Sequence, residues 1–156
     1  MLYLIHAFAG CLIGGYVSSS IIIVIFLAVI SHFLIDMLPH WDGPFNKKHF
    51  KKTGKIKAHK SIYAMETVDF LIAIGILLLM IYKFPFLDSR LMIAGTIASL
   101  APDVIKAGYF SPLKNRKSFM SYLQFHSKIQ NEVSWWNGLS FQMIFLSILI
   151  IIFHFL

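Results

Sequence analysis

SHFLIDMLPHWDG, Ser31–Gly43, closes a long apolar run with four ionisable side chains, His32, Asp36, His40 and Asp42. Bilayer physics asks for none of them there, since ionisable groups within a membrane-spanning segment are costly and mark function. His32 and Asp36, four residues apart, project from one helical face. Neutral imidazole with carboxylate is the donor pair that Zn²⁺, Mn²⁺ or Fe²⁺ accepts. Pro39 clashes with the carbonyl of Ile35 and disfavours helix at Leu38, so the helix is expected to stop there. His40 and Asp42 then lie on a loop, turned by Gly43 and Pro44, that can fold back over the last two helical turns.

Around this stretch the composition is that of a chain living mostly in lipid: 58% apolar residues, 13% charged residues and a mean hydropathy of +0.73. Five apolar segments follow one another, about Leu2 to Val17, Ser20 to Leu38, Ser61 to Phe84, Ser89 to Gly108 and Asn137 to Leu156. Between the last two, Ser118 to Asn131 carries Phe119, Met120, Tyr122, Leu123, Phe125 and Ile129 in a pattern that suits an amphipathic helix lying at the interface. The expected fold is an all-α polytopic membrane helical bundle of about five membrane segments plus that interfacial helix, one membrane-embedded domain over residues 1–156. Trp41, Trp135 and Trp136 fall at segment ends, where an aromatic belt belongs.

Near the start, Phe8-Ala9-Gly10-Cys11 has the look of a lipoprotein cleavage box, but no basic region precedes it and His6 interrupts the apolar run. Ala7, Gly10 and Gly14, with Cys11 and Gly15 alongside, read better as small residues for close helix contact in lipid. The single cysteine excludes an internal disulfide.

Of the 14 Lys and Arg, seven lysines lie between Lys47 and Lys60, and Lys114, Arg116 and Lys117 form a second group. These are loops beside apolar segments, not a groove-reading helix, so they exclude nucleic acid in favour of anionic lipid headgroups. With alternating segments and a cytoplasmic N-terminus, only Lys83 and Arg90 fall on the far side, which predicts N-in, C-out.

The same topology collects the remaining polar residues at one face. His6 opens the first segment, His32, Asp36, His40 and Asp42 leave the second, Glu66 and Asp69 enter the third, Asp103 leaves the fourth, and His126 with Glu132 precedes the fifth. At about 1.5 Å of rise per residue these positions lie within roughly 12 Å of one membrane surface. Six of the seven carboxylates belong to the group, and only Asp88 lies outside it. The metal candidates are therefore His6, His32, Asp36, His40, Asp69, Asp103 and His126, holding one or two divalent ions (Zn, Mn or Fe). Glu66 and Asp42 are the candidate catalytic carboxylates. Glu66 and Asp69 share a face at i and i+3, the deeper Asp69 serving as ligand and Glu66 as general base or outer partner. Pro102 can kink the fourth helix and turn Asp103 inward.

Competing readings are a hydrogen-bonded polar network in a membrane scaffold, a haem protein using His6 and His32, and a transporter. The surplus of carboxylates argues against haem, and the one-sided placement of the cluster against a transporter. Cys11 has no obvious base beyond His6, Ser31 and His32 are adjacent and so do not face one another, and no phosphate loop or dinucleotide fingerprint is present.

Taken together, His6-Ala7-Phe8-Ala9-Gly10 with Gly14, the SHFLIDMLPHWD element, the acidic start of the third segment, Gly95 with Ala101-Pro102-Asp103, and FHSKIQ before the final span resemble the membrane-bound metal-dependent hydrolase family of bacteria and archaea. That resemblance covers most of the chain. It implies a divalent-metal site on His32, Asp36, His40 and Asp42, joined by His6, Asp69, Asp103 and His126, at the cytoplasmic face of a prokaryotic inner membrane. A further His-rich element of the family has only Lys57-Ala58-His59-Lys60-Ser61 in its place. The implied chemistry is metal-assisted hydrolysis of a phosphorylated or ester-linked lipid, with membrane lipid as the expected partner.

Overall fold

A computed structural model describes residues 2–41, 60–106 and 112–155 of the chain. Asp42, expected as a catalytic carboxylate, lies outside the described residues, as do His49 and His59. The described residues form six α-helices: α1 (Tyr3–Leu12), α2 (Ile21–Asp36), α3 (Lys60–Lys83), α4 (Ser89–Lys106), α5 (Lys117–Ile129) and α6 (Trp135–Phe155). A π-helical turn, Ile13–Val17, extends α1, and a single 3-10 turn, Pro112–Asn115, precedes α5. Among the described residues the only strand-like pairing is one isolated parallel bridge between His40 and Glu132. The expected all-helical architecture is observed.

Among the described residues two helices, rather than the five segments expected, are long and apolar enough to cross a bilayer: 64–83 within α3, and α6. The others fall short for separate reasons. α2 has 16 residues, about 24 Å of rise against a hydrocarbon core of about 30 Å. α1 with its π-helical turn is likewise short, and α4 carries Arg90, Asp103 and Lys106 within its 18 residues. α3 and α6 leave rows of large apolar side chains uncovered, Leu71, Ile72, Leu78 and Leu79 on one and Ile144, Ile148, Ile151 and Ile152 on the other. Trp135 and Trp136 stand exposed at the start of α6, at the level an aromatic belt would occupy.

α1 is the central helix, with every side chain from Ile5 to Leu12 buried. It packs on α4 and α3, and α2 packs on α4. What brings α1 and α4 together is the absence of side chains. A Cβ on Gly10 would stand 2.8 Å from the carbonyl carbon of Gly95, and one on Gly14 would stand 2.8 Å from the Cα of Met92. The small residues expected to make a helix contact thus make this one, at backbone distance. Polar side chains fasten the same seam: Ser99 Oγ donates to the His6 carbonyl at 2.7 Å and Thr96 Oγ1 to the Ala7 carbonyl at 3.3 Å.

The seam divides α1 into two regions. Towards its C-terminus, Phe8, Cys11 and Leu12 pack with Met80 and Met92, flanked by Phe84 and Phe153. Phe153 meets both Phe8 and Phe84 edge to face, at centroid distances of 5.8 and 4.6 Å. Towards its N-terminus the interior is polar, and the candidate site lies there.

Candidate metal centre

α2 ends at Asp36, with Leu38 N–H still bonding the Ile35 carbonyl, and the chain leaves the helix before Pro39 as expected. That stop sets His32 and Asp36 on the last two turns. The loop is then held from the other side of the molecule. Asn131 N–H donates to the Asp36 carbonyl at 3.1 Å, His40 N–H to the Asn131 carbonyl at 3.1 Å, and Val133 N–H to the His40 carbonyl at 2.9 Å. This backbone stitching draws the end of α5, and with it His126, onto the end of α2.

Four side chains consequently offer donor atoms within 4.8 Å of one another: His32, Asp36, Asp103 and His126. They come from α2, α4 and α5 and are 0–4% exposed. His32 Nε2 lies 3.0 Å from His126 Nε2, 3.4 Å from Asp36 Oδ2 and 3.9 Å from Asp103 Oδ1. His126 Nε2 lies 3.6 Å from Asp36 Oδ2 and 3.7 Å from Asp103 Oδ1. For ligands about 2.0–2.1 Å from a tetrahedral ion, neighbouring donors are separated by about 3.4 Å. Five of the six donor pairs, at 3.0–3.9 Å, bracket that edge, and the sixth, Asp36 with Asp103, lies within 4.8 Å.

Hydrogen bonding independently fixes which nitrogen faces inward. His32 Nδ1 stands 2.8 Å from the Ser99 carbonyl, so it carries the proton and leaves Nε2 as a lone-pair donor. Pro102 lies inside α4 near that carbonyl, and its missing N–H leaves the Ala98 carbonyl without its usual helical partner. Tyr122 ties α5 to this part of α4, its hydroxyl donating to the Pro102 carbonyl at 2.6 Å. Burial pushes the Tyr122 hydroxyl up to about 12, which keeps it a donor. Burial, reinforced by the Lys106 ammonium, pushes His126 down to about 4, so its imidazole is neutral at physiological pH.

Two neutral imidazoles and two carboxylates therefore converge, and the two Nε2 atoms, 3.0 Å apart, share one hydrogen bond whose proton a bound cation would displace. The contacts of 3.4–3.9 Å are too long for hydrogen bonds. Among the described residues, His126 Nδ1 has no partner. A divalent cation satisfies all four inward donors at once, so the group can hold a metal ion. No family model, curated protein or solved structure matches this chain.

The other expected site residues occupy different positions. His6 is fully buried beside the group, with Nε2 3.2 Å from Asp36 Oδ1 and its ring stacked on His32 at 4.2 Å. It stands behind the carboxylate, orienting Asp36 so that Oδ2 faces the two imidazoles. His40 is buried but outside the four-donor group, with Nδ1 donating to the Leu38 carbonyl at 2.8 Å. Asp69, expected as a ligand, instead caps α1: its carboxylate accepts Tyr3 N–H at 2.5 Å and Leu4 N–H at 3.3 Å. These are among the N–H groups that a helix start leaves without partners, and a negative charge there also suits the helix dipole. Glu66, one turn earlier on α3, is exposed and lies outside the group. Asp69→Ala is accordingly expected to lower stability by about 1 kcal/mol, the usual cost of a lost cap, while metal content is unchanged. Thermal unfolding with elemental analysis of the purified variant checks both.

Several contributors escaped the sequence reading. Lys106 forms an ion pair with Asp103 one turn along α4. Gln130 Nε2 approaches Asp36 Oδ2 at 3.4 Å. Gln142 is fully buried, its Oε1 accepting Leu2 N–H at 3.0 Å and its Nε2 donating to the Trp41 carbonyl at 3.2 Å. Gln142 did carry a signal, being an amide two turns inside a largely apolar span.

Proposed function

We propose that this chain is a multi-pass protein of a prokaryotic cytoplasmic membrane, a metal-dependent hydrolase that cleaves a phosphoester or ester of a lipid-linked substrate at the cytoplasmic leaflet. The observation that carries the reading is the convergence of His32, Asp36, Asp103 and His126 at one end of the bundle, buried and matched in spacing to a single ion. α3 and α6 span the bilayer. α1, α2 and α4 complete the bundle, and thinning of the lipid around them accommodates their shorter length. The lysine-rich sequence 47–60 favours the cytoplasmic side for the site.

A divalent ion held by His32, Asp36, Asp103 and His126 would lower the pKa of a water towards neutrality and polarise a phosphoryl or carbonyl oxygen. His32 and His126 provide neutral nitrogen donors, and Asp36 and Asp103 balance the charge. His6 keeps Asp36 in register, and the Ser99 carbonyl keeps His32 in the required tautomer. Four protein donors leave a place for water and substrate only on an ion that takes more than four ligands, which favours Mn²⁺ or Fe²⁺ over Zn²⁺.

The near-complete burial of the four donors favours a second reading, a closed metal or polar network that stabilises a membrane scaffold. Elemental mass spectrometry of the detergent-purified chain, followed by Co²⁺ substitution, separates the two. About one ion per chain, a weak five- or six-coordinate Co²⁺ spectrum and turnover of a phosphoester lipid support the hydrolase. An intense tetrahedral Co²⁺ spectrum without turnover supports the scaffold. A preparation that takes up no metal overturns the metal site itself.

A further inference from the structure

Asp103 Oδ1 faces two ways. On one side it lies 3.9 and 3.7 Å from the inward nitrogens of His32 and His126. On the other it pairs with the ammonium of Lys106, one turn later on the last turn of α4. Asp103 is buried, whereas the Lys106 side chain is 33% exposed and so reaches from the site towards the surface. The same oxygen thus serves a fixed cation and the bound one that the four donors would hold. Both cannot engage it fully, because like charges a few ångströms apart repel even at the effective dielectric of a protein surface.

Charge decides which cation yields. The two carboxylates and Lys106 together carry one net negative charge, and a divalent cation turns this into one net positive charge. The surplus sits on the flexible, partly exposed ammonium, while the buried ion is fixed by its four donors. A lysine displaced towards the surface beside a divalent ion is an arrangement that suits an oxyanion, with the metal taking one oxygen and the ammonium another.

Resting on the metal reading above, we infer that Lys106 is an exchangeable counter-cation: it neutralises Asp103 in the metal-free protein and is released by the incoming metal to anchor the phosphate group of the substrate. The substrate class is therefore phosphate-bearing rather than a neutral ester, and anion binding depends on metal.

The test uses the detergent-solubilised full chain, with Mn²⁺ uptake followed by electron paramagnetic resonance and anion binding by calorimetry. In the wild type, inorganic phosphate or phosphatidic acid in mixed micelles should bind at least about tenfold more tightly to Mn²⁺-loaded than to metal-free protein, the gain of a charge-assisted contact. Lys106→Met should bind Mn²⁺ about tenfold more tightly through loss of the like-charge contact, and should lose the metal-dependent anion binding. Lys106→Arg, which keeps the charge, should retain it. Saturation by inorganic phosphate identifies a free oxyanion as sufficient, and binding of phosphatidic acid alone identifies a lipid headgroup; either supports the anchor. Mn²⁺-loaded wild type that binds neither anion overturns the inference without touching the metal site, as does a folded Lys106→Met variant with weaker or unchanged Mn²⁺ affinity. Wild type that takes up no divalent metal overturns both.

Discussion

Asp36→Ala is expected to weaken divalent-metal binding at the candidate centre by at least about 100-fold, since even outer partners of metal ligands are worth 10- to 100-fold. Asp36 is the carboxylate around which the site is built. Its Oδ2 lies 3.4 and 3.6 Å from the two inward imidazole nitrogens, and its Oδ1 engages His6 at 3.2 Å. The alanine variant also leaves His6 Nε2 without that partner in a fully buried position, at a cost of about 1–3 kcal/mol. Asp36→Asn separates the two effects. Its amide oxygen can still accept from His6, so thermal stability should stay near that of the wild type, while the lost charge removes most of the metal affinity. Elemental analysis and thermal unfolding of both variants read the two quantities side by side. Retention of stoichiometric metal by both would place the ion elsewhere in the chain.

Gly95→Leu is expected to damage the site from outside it. A Cβ at Gly95 would stand 3.1 Å from the carbonyl carbon of Gly10 and 3.3 Å from the nitrogen of Gly14. These are backbone atoms on the facing helix and cannot rotate away as a side chain would. α1 and α4 must separate, and overpacking of this kind costs about 1–3 kcal/mol or more. Gly95 shares a face of α4 with Ser99 and Asp103, four and eight residues on. Moving that face displaces both the carbonyl that orients His32 and one of the four donors. The variant should therefore unfold at lower temperature and bind metal more weakly. Gly75→Leu on α3 is the control, since nothing lies within 4 Å of a Cβ at that position. It should leave both quantities unchanged, and equal losses in the two variants would mean that the close seam is not what holds the site together.

Local chemistry explains what could be read in advance. The i, i+4 spacing of His32 and Asp36, the helix stop before Pro39, and the small residues of α1 all act within a few residues of themselves. Each appears in the structure as its local physics requires. The first segment reads as short for a span already in the sequence, whereas the expectation of five spans failed to anticipate how short α2 is and how many charges α4 carries, because hydropathy weighs composition more than length. Asp69 shows the other limit. A carboxylate more than two turns into a largely apolar helix looks the same whether it serves a metal or the open N–H groups of a neighbouring helix, and its spacing to Glu66 cannot distinguish the two.

By itself, then, the sequence determined an apolar helical chain with its ionisable residues gathered towards one end, and a ligand pair on one face of one helix. Only the tertiary structure decided that Asp103 and His126 join that pair, that His6 stands behind Asp36, that Asp69 caps α1 and that Lys106 shares an oxygen with the site. Periodicity sets the direction of a side chain relative to its own helix axis. Which faces then meet is set by contacts far apart in the chain, here the glycine seam between α1 and α4 and the backbone stitching of His40 to Asn131 and Val133.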